Sequence, residues 1–153
     1  MSESNTNLVT SEAEITLPAK IGGQALLSAA EAATQWLAAH RATINAMNVF
    51  PVPDGDTGSN MLLTMQAAVA SGQSAILEGA GAGIVAAQIA RGALLNARGN
   101  SGIILSQILH GFSLAIEDRT AIDGRDLANG LDRARELAYR AVLEPVEGTM
   151  LTV

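Results

Sequence analysis

At 153 residues the chain has room for one domain with a sizeable core and not for two. Hydrophobic residues make up 48% of it but aromatic ones only 3%, so the core is aliphatic and alanine-rich, which favours closely packed helices. A net charge of −6, with no cluster of Lys or Arg, argues against a nucleic-acid partner, and the lack of cysteine excludes disulfides and thiolate metal sites.

Residues 1–18 are rich in Ser, Asn, Thr and Glu and read as a flexible N-terminal arm, with the folded domain over 19–153. The amino terminus has neither the basic region nor the apolar stretch of an export signal, and no later apolar run is long enough to cross a bilayer. The expectation is a soluble cytoplasmic protein with no transmembrane segment. Over about 19–47, Leu26, Ala30, Ala33, Leu37, Ile44 and Met47 share a helical stripe with His40. His40 reads as a core or rim residue bonded to backbone rather than a ligand, and Trp36 as packing rather than a stacking platform.

The helix delivers the most constrained stretch of the chain, Asn48-Val-Phe-Pro-Val-Pro-Asp-Gly-Asp-Thr-Gly-Ser-Asn-Met61. Pro51 and Pro53 fix their own φ and push Val52 toward extended geometry, so no helix runs through. Gly55 and Gly58 let the chain bend while the Asp54 and Asp56 carboxylates stay near one point, where they repel unless a cation sits between them. A helix starting after Thr57 and Ser59 would aim its free amides at the same place, an arrangement that favours phosphate. Together these features point to a hard cation, most plausibly magnesium, bridging protein and phosphate. The plainer alternative is ordinary turn chemistry, with Asp56 or Thr57 as the helix cap.

A second helix is predicted over about 59–70, with Met61, Leu62, Met65 and Val69 inward and Ser71-Gly72 ending it. The glycine-rich link at 80–83 lacks the Gly-Lys-Ser/Thr ending and the preceding strand of a phosphate loop. A third helix follows over about 84–95. Asn96-Ala-Arg-Gly-Asn-Ser-Gly102 then precedes a fourth, about 103–117. Gly99 and Gly102 free the backbone there, Ser101 can cap the new helix, and Arg98 adds a planar cation suited to phosphate oxygens; a plain connector with Arg98 in solvent is the alternative. His110, within the fourth helix, is expected to face a neighbour or solvent. Asp123 is a candidate cap for a fifth helix over about 124–143, with Leu127, Leu131, Ala134, Leu137 and Ala141 inward. Pro145 stops it, and 146–153 look like the start of a sixth helix cut short. No strand alternation recurs, so the predicted fold class is all-α.

Three stretches resemble a known family in the right order: 48–61, Gly92-Ala-Leu-Leu-Asn-Ala-Arg-Gly-Asn-Ser-Gly-Ile-Ile-Leu-Ser-Gln107, and Ala141-Val-Leu-Glu-Pro-Val-Glu-Gly-Thr-Met-Leu-Thr-Val153. They look like the amino-terminal, nucleotide-binding domain of the bacterial fatty-acid kinase catalytic subunit, which is similar to the nucleotide-binding (L-type) domain of dihydroxyacetone kinases. The resemblance covers about residues 20–153. It implies an antiparallel α-helical barrel or bundle of about eight helices, with ATP held at one rim through a pair of Mg2+ ions. Asp54 and Asp56 match the metal-binding carboxylates. Thr57, Gly58, Ser59 and Asn60 match the loop and helix start that hold the phosphates, and Asn100 and Ser101, beside Arg98 and Gly99, match the second phosphate-contacting loop. Met150 falls where the family contacts the base. Asn48 stands near a third metal-binding Asp of dihydroxyacetone kinases, but it is an amide at a different spacing from Asp54.

The family's domain continues for further helices, so the chain reads as a domain missing its last ones, whose exposed apolar faces could drive formation of a homo-oligomer. The function implied is an ATP-dependent kinase domain acting on a fatty acid presented by a separate fatty-acid-binding partner protein. The alternatives are a dihydroxyacetone-kinase-type nucleotide-binding domain and a non-catalytic helical binding or assembly module.

Overall fold

The computed structural model describes residues 20–49, 52–76, 79–142 and 150–151. The expected N-terminal arm, Pro51, Pro145 and most of the expected sixth helix lie outside the described residues. Within them the chain forms five helices: α1 (Gly23–Ala46), α2 (Thr57–Ile76), α3 (Ala82–Leu95), α4 (Gly99–Ala115) and α5 (Gly124–Arg140). Two short strands, β1 (Ile21–Gly22) and β2 (Ala121–Ile122), pair antiparallel. This bridge, unforeseen in a sequence without strand alternation, fastens the start of α1 to the connection between α4 and α5. The fold is an all-α bundle, and among the described residues no helix is long and apolar enough to cross a membrane.

Successive helices run antiparallel, as the order of their contacts establishes. Gly58 at the start of α2 lies against Arg41 late in α1, while Gly72 late in α2 lies against Leu27 early in α1. Gly92 of α3 meets Ala67 and Ser71 of α2, and Gly111 of α4 meets Arg133 and Ala134 of α5. The starts of α2 and α4 and the ends of α1 and α3 therefore share one end of the bundle.

Alanine and glycine seams set these approaches. One cluster of buried residues joins Leu27, Ala68, Ala75, Val85, Ile89 and Ala93, and a second joins Ala82, Ala86, Ile116 and Ile122. Gly72, expected to end the second helix, is buried inside it instead: α2 runs on to Ile76, because the missing side chain makes room for Ile89 and Leu27. Tertiary packing here outweighs glycine's modest helix penalty of about 1 kcal/mol.

Several expected inward residues face out. Ala33, Met47 and Ala141 are exposed, and Leu127 and Leu131 are 40% and 58% exposed. On α5 the buried positions are Gly130, Ala134 and Ala138; Gly130 lies against the ring of Phe112, and small residues on this face let the helix backbones approach, leaving the leucines beside the seam. Trp36 is 70% exposed rather than packed, its ring 4.4 Å from that of His40. His40 Nδ1 lies 2.9 Å from the Trp36 carbonyl oxygen, in keeping with a rim residue bonded to backbone.

Asp123 caps α5 as expected. Its Oδ1 accepts the Arg125 and Asp126 amides at 2.9 and 3.0 Å, and Asp126 Oδ2 accepts the Asp123 amide at 3.2 Å in a reciprocal capping box. The Asp126 amide, then that of Arg125, hold the Asp123 carboxyl below its ordinary range. Its folded-state value lies below the unfolded one, about 3.9, so the stabilisation is complete above that pH and is lost as pH falls through the lowered folded value. Urea unfolding should accordingly find Asp123→Ala less stable than wild type by an amount constant above about pH 4 and closing on acidification. A second outcome concerns the α2–α3 seam. A Cβ on Gly92 would stand 2.6 Å from the Ala67 carbonyl oxygen, so Gly92→Ala should lower unfolding free energy by about 1–2 kcal/mol despite its better helix propensity.

Candidate functional site

The site lies at the bundle end shared by the starts of α2 and α4. The turn before α2 has no regular structure at residues 52–54 and bends at Gly55, whose φ of +68° favours glycine. Asp54 and Asp56 are both exposed. Asn48 Nδ2 donates to Asp54 Oδ1 at 2.6 Å, so the amide orients one of the two carboxylates. Asp56 caps α2 with its backbone, its carbonyl accepting the Asn60 amide at 2.9 Å. Its carboxylate makes no hydrogen bond to another described residue. Side-chain capping by Asp56, the plain-turn alternative, is therefore not what the structure forms.

A residue the sequence did not single out holds this helix start. Asn45, in the last turn of α1, accepts the Ser59 amide on Oδ1 at 3.1 Å and donates from Nδ2 to Ser59 Oγ at 3.0 Å. It acts as a cap delivered by a neighbouring helix. Gly58 makes the approach possible, since a Cβ there would stand 2.7 Å from the Arg41 carbonyl oxygen. One orphan amide is consumed by this contact, which leaves those of Thr57 and Gly58 without an acceptor among the described residues.

The second loop meets the first directly. Helix α4 begins at Gly99, four residues earlier than expected, so Ser101 sits inside the first turn rather than at the cap; Arg98 holds the cap position in extended geometry with no side-chain bond. Gly99 has φ +59° and lies against the Asn60 side chain. Ser101 Oγ donates to the Thr57 carbonyl at 3.4 Å, and the Arg98 amide donates to Thr64 Oγ1 at 3.1 Å. The Gly99, Asn100 and Ser101 amides have no acceptor among the described residues. Arg98 is exposed and forms no salt bridge among them.

Thr57, Gly58, Ser59, Asn60, Arg98, Gly99, Asn100 and Ser101 are thus gathered at one place, with Asp54 and Asp56 on the turn leading into it. Met150 is half-buried in a turn tied to α5 by the Tyr139 hydroxyl, which donates to the Leu151 carbonyl at 2.9 Å; none of the hydrogen bonds of the two loops reaches it. His110 is half-buried and lines a hollow of about 290 Å³ between α3 and α4 with Arg91, Leu94 and Glu117. Among the described residues no group of three or more His, Asp or Glu could form a metal cage. What the turn offers a cation is a pair of exposed carboxylates, hard oxygen donors of the kind that leave most of the coordination to water and phosphate. That donor set fits magnesium. Five amides on two helix starts have no acceptor among the described residues, with the Arg98 guanidinium beside them, and such donors are of the kind that suits an anion.

The chain is 43% identical over 122 residues to protein YloV of Bacillus subtilis. It is 40% identical over 136 residues to an uncharacterized protein of Staphylococcus saprophyticus, and 40% identical over 134 residues to one of Staphylococcus aureus. These matches cover 80–88% of this chain but only 22–24% of the relatives, so the chain spans about a quarter of their length. The family profile of the DAK2 domain matches residues 51–153, which include the carboxylate turn and both helix starts. The chain belongs to the DAK2 domain family, a kinase-related family of dihydroxyacetone-kinase-type nucleotide-binding domains.

Proposed function

We propose that the chain is the ATP- and magnesium-binding phosphoryl-transfer domain of a fatty-acid kinase. The observation that carries this reading is the meeting of two helix starts, with unpaired amides on both, behind a turn whose Asp56 carboxylate is not used for capping. Asp54 and Asp56 would hold magnesium, which when bound offsets negative charge on the nucleotide's phosphates. Asn48 sets the orientation of the Asp54 carboxylate through its 2.6 Å hydrogen bond. The Thr57 and Gly58 amides take phosphate oxygens on one side, and those of Gly99, Asn100 and Ser101 on the other. Arg98 adds a charged fork for a further oxygen. Ser59 accepts from Asn45 and keeps its own hydroxyl hydrogen for a phosphate. Met150 is assigned to the nucleotide base by resemblance alone.

The fatty-acid acceptor is taken from the resemblance, and its chemistry asks little of the site. A fatty-acid carboxylate is already ionised near neutral pH, so its oxygen can attack the terminal phosphorus without a general base. The new bond is carboxylate oxygen to phosphorus. The bond that breaks joins that phosphorus to the bridging oxygen, and ADP leaves with the electron pair, giving an acyl phosphate. The protein's part is positioning and electrostatics. A separate lipid-binding protein would present the fatty acid, while this domain binds the nucleotide.

Calorimetric titration of ATP into the chain with and without magnesium tests the assignment. Binding should require the metal, and Asp54→Ala and Asp56→Ala should each weaken it by at least about a hundredfold, the scale of a lost charge-assisted contact. Metal-independent affinity, or affinity untouched in both variants, would overturn it. Metal-dependent binding with no acyl phosphate formed from a lipid-loaded partner protein would instead favour a nucleotide-binding module with another acceptor or none.

A further inference from the structure

Behind the exposed residues of the site a part-buried polar contact joins its two halves. Thr64 sits in the second turn of α2 and is fully buried. Its hydroxyl donates to the Asn60 carbonyl at 2.8 Å and accepts the Arg98 backbone amide at 3.1 Å. A threonine bonded to the carbonyl four residues back is common helix chemistry and needs nothing further. The second bond is different, because it comes from a residue 34 positions away, at the cap position of α4. Gly102 closes on the same oxygen from α4, where a Cβ would stand 2.5 Å from Thr64 Oγ1. Arg98 is the last residue before the three unpaired amides of α4, so whatever fixes its backbone fixes where those amides point.

We infer that Thr64 is a positioning residue of the nucleotide site: its hydroxyl sets the amides of residues 99–101 at a fixed place relative to the start of α2, so that both cradle one phosphate chain. The inference rests on the reading given under Proposed function. Valine at this position keeps the shape and removes the acceptor of the Arg98 amide. Serine keeps the hydroxyl.

The test compares Thr64→Val and Thr64→Ser with wild type in the full chain, at a temperature where circular dichroism finds equal helix content. Thr64→Val should weaken magnesium-dependent ATP binding about tenfold and Thr64→Ser by no more than about twofold, with amide exchange at Arg98 faster only in the valine variant. Unchanged ATP affinity in Thr64→Val, with only a lower melting temperature, is the behaviour of a purely structural threonine and would overturn the inference. Should Thr64→Val not fold, Gly102→Ala presses on the same oxygen from the other helix; it should weaken ATP binding similarly, and full affinity there would overturn the inference too. If wild type binds no nucleotide, the phosphoryl-transfer reading fails by itself. Amide exchange at Arg98 then decides the positioning role: faster exchange in Thr64→Val supports it and unchanged exchange overturns it.

Discussion

The close approach of the first turns of α2 and α4 is the constraint on which the functional end of the bundle depends. Two helix starts, each with orphan amides and the positive end of a helix dipole, are brought side by side, and such ends repel one another electrostatically. The chain offsets this with contacts that neutral groups can make: Thr64 to the Arg98 amide, Ser101 to the Thr57 carbonyl, and Gly99 under the Asn60 side chain. Of the amides left without an acceptor among the described residues, those of Gly99 and Asn100 belong to exposed residues, whereas Gly58 is buried. An anion bound at this end would relieve the repulsion between the helix starts as well as satisfy the amides, which ties the stability of this end of the fold to occupancy of the site.

Behind that end, the bundle is built for close approach. Gly72, Gly92 and Gly111 sit where one helix crosses the backbone or a branched side chain of the next, and alanines fill most of the remaining core. Such seams give good van der Waals contact but bury little area per residue. They also leave large side chains such as Leu127 and Leu131 beside the seams rather than in them. The same economy of side-chain size is what lets Gly58 pass Arg41 closely enough for Asn45 to reach Ser59.

In the proposed function the carboxylate turn and the amides of the helix starts would divide the chemistry between them. Asp54 and Asp56 are exposed and offer hard oxygens, and the helix starts offer donors, so a metal–phosphate ligand would find opposite needs met on its two sides. Neither half is a complete site. The pairing depends on Asn45 and Asn48, two amides at the end of α1 that orient the helix start and one carboxylate respectively. The DAK2 match over residues 51–153 takes in the carboxylates and both helix starts but begins only after both asparagines.

Much was legible from the sequence alone. Proline and glycine placement marked the turn before α2, the 3.6-residue pattern marked five helices, and Asp123 marked the α5 start, because each is a local property of backbone geometry. Asp54, Asp56, Arg98 and Ser101 stood out by turn and helix-start chemistry that also has ordinary local uses, whereas Thr57, Gly58, Ser59, Asn60, Asn100 and Met150 were assigned by the family resemblance. Thr64 and Asn45 were found by neither route. A threonine amid Met61, Leu62 and Met65, and an asparagine in a last helical turn, carry no local signal, since their partners lie 34 and 14 residues away. Nor could the sequence tell that Gly72 continues a helix, that α4 starts at Gly99, or that Leu127 and Leu131 face out. Composition and spacing fix which residues are able to bind or turn; which helix crosses which, and how closely, depends on contacts between distant segments, and those decide whether a glycine breaks a helix or lets a neighbour in.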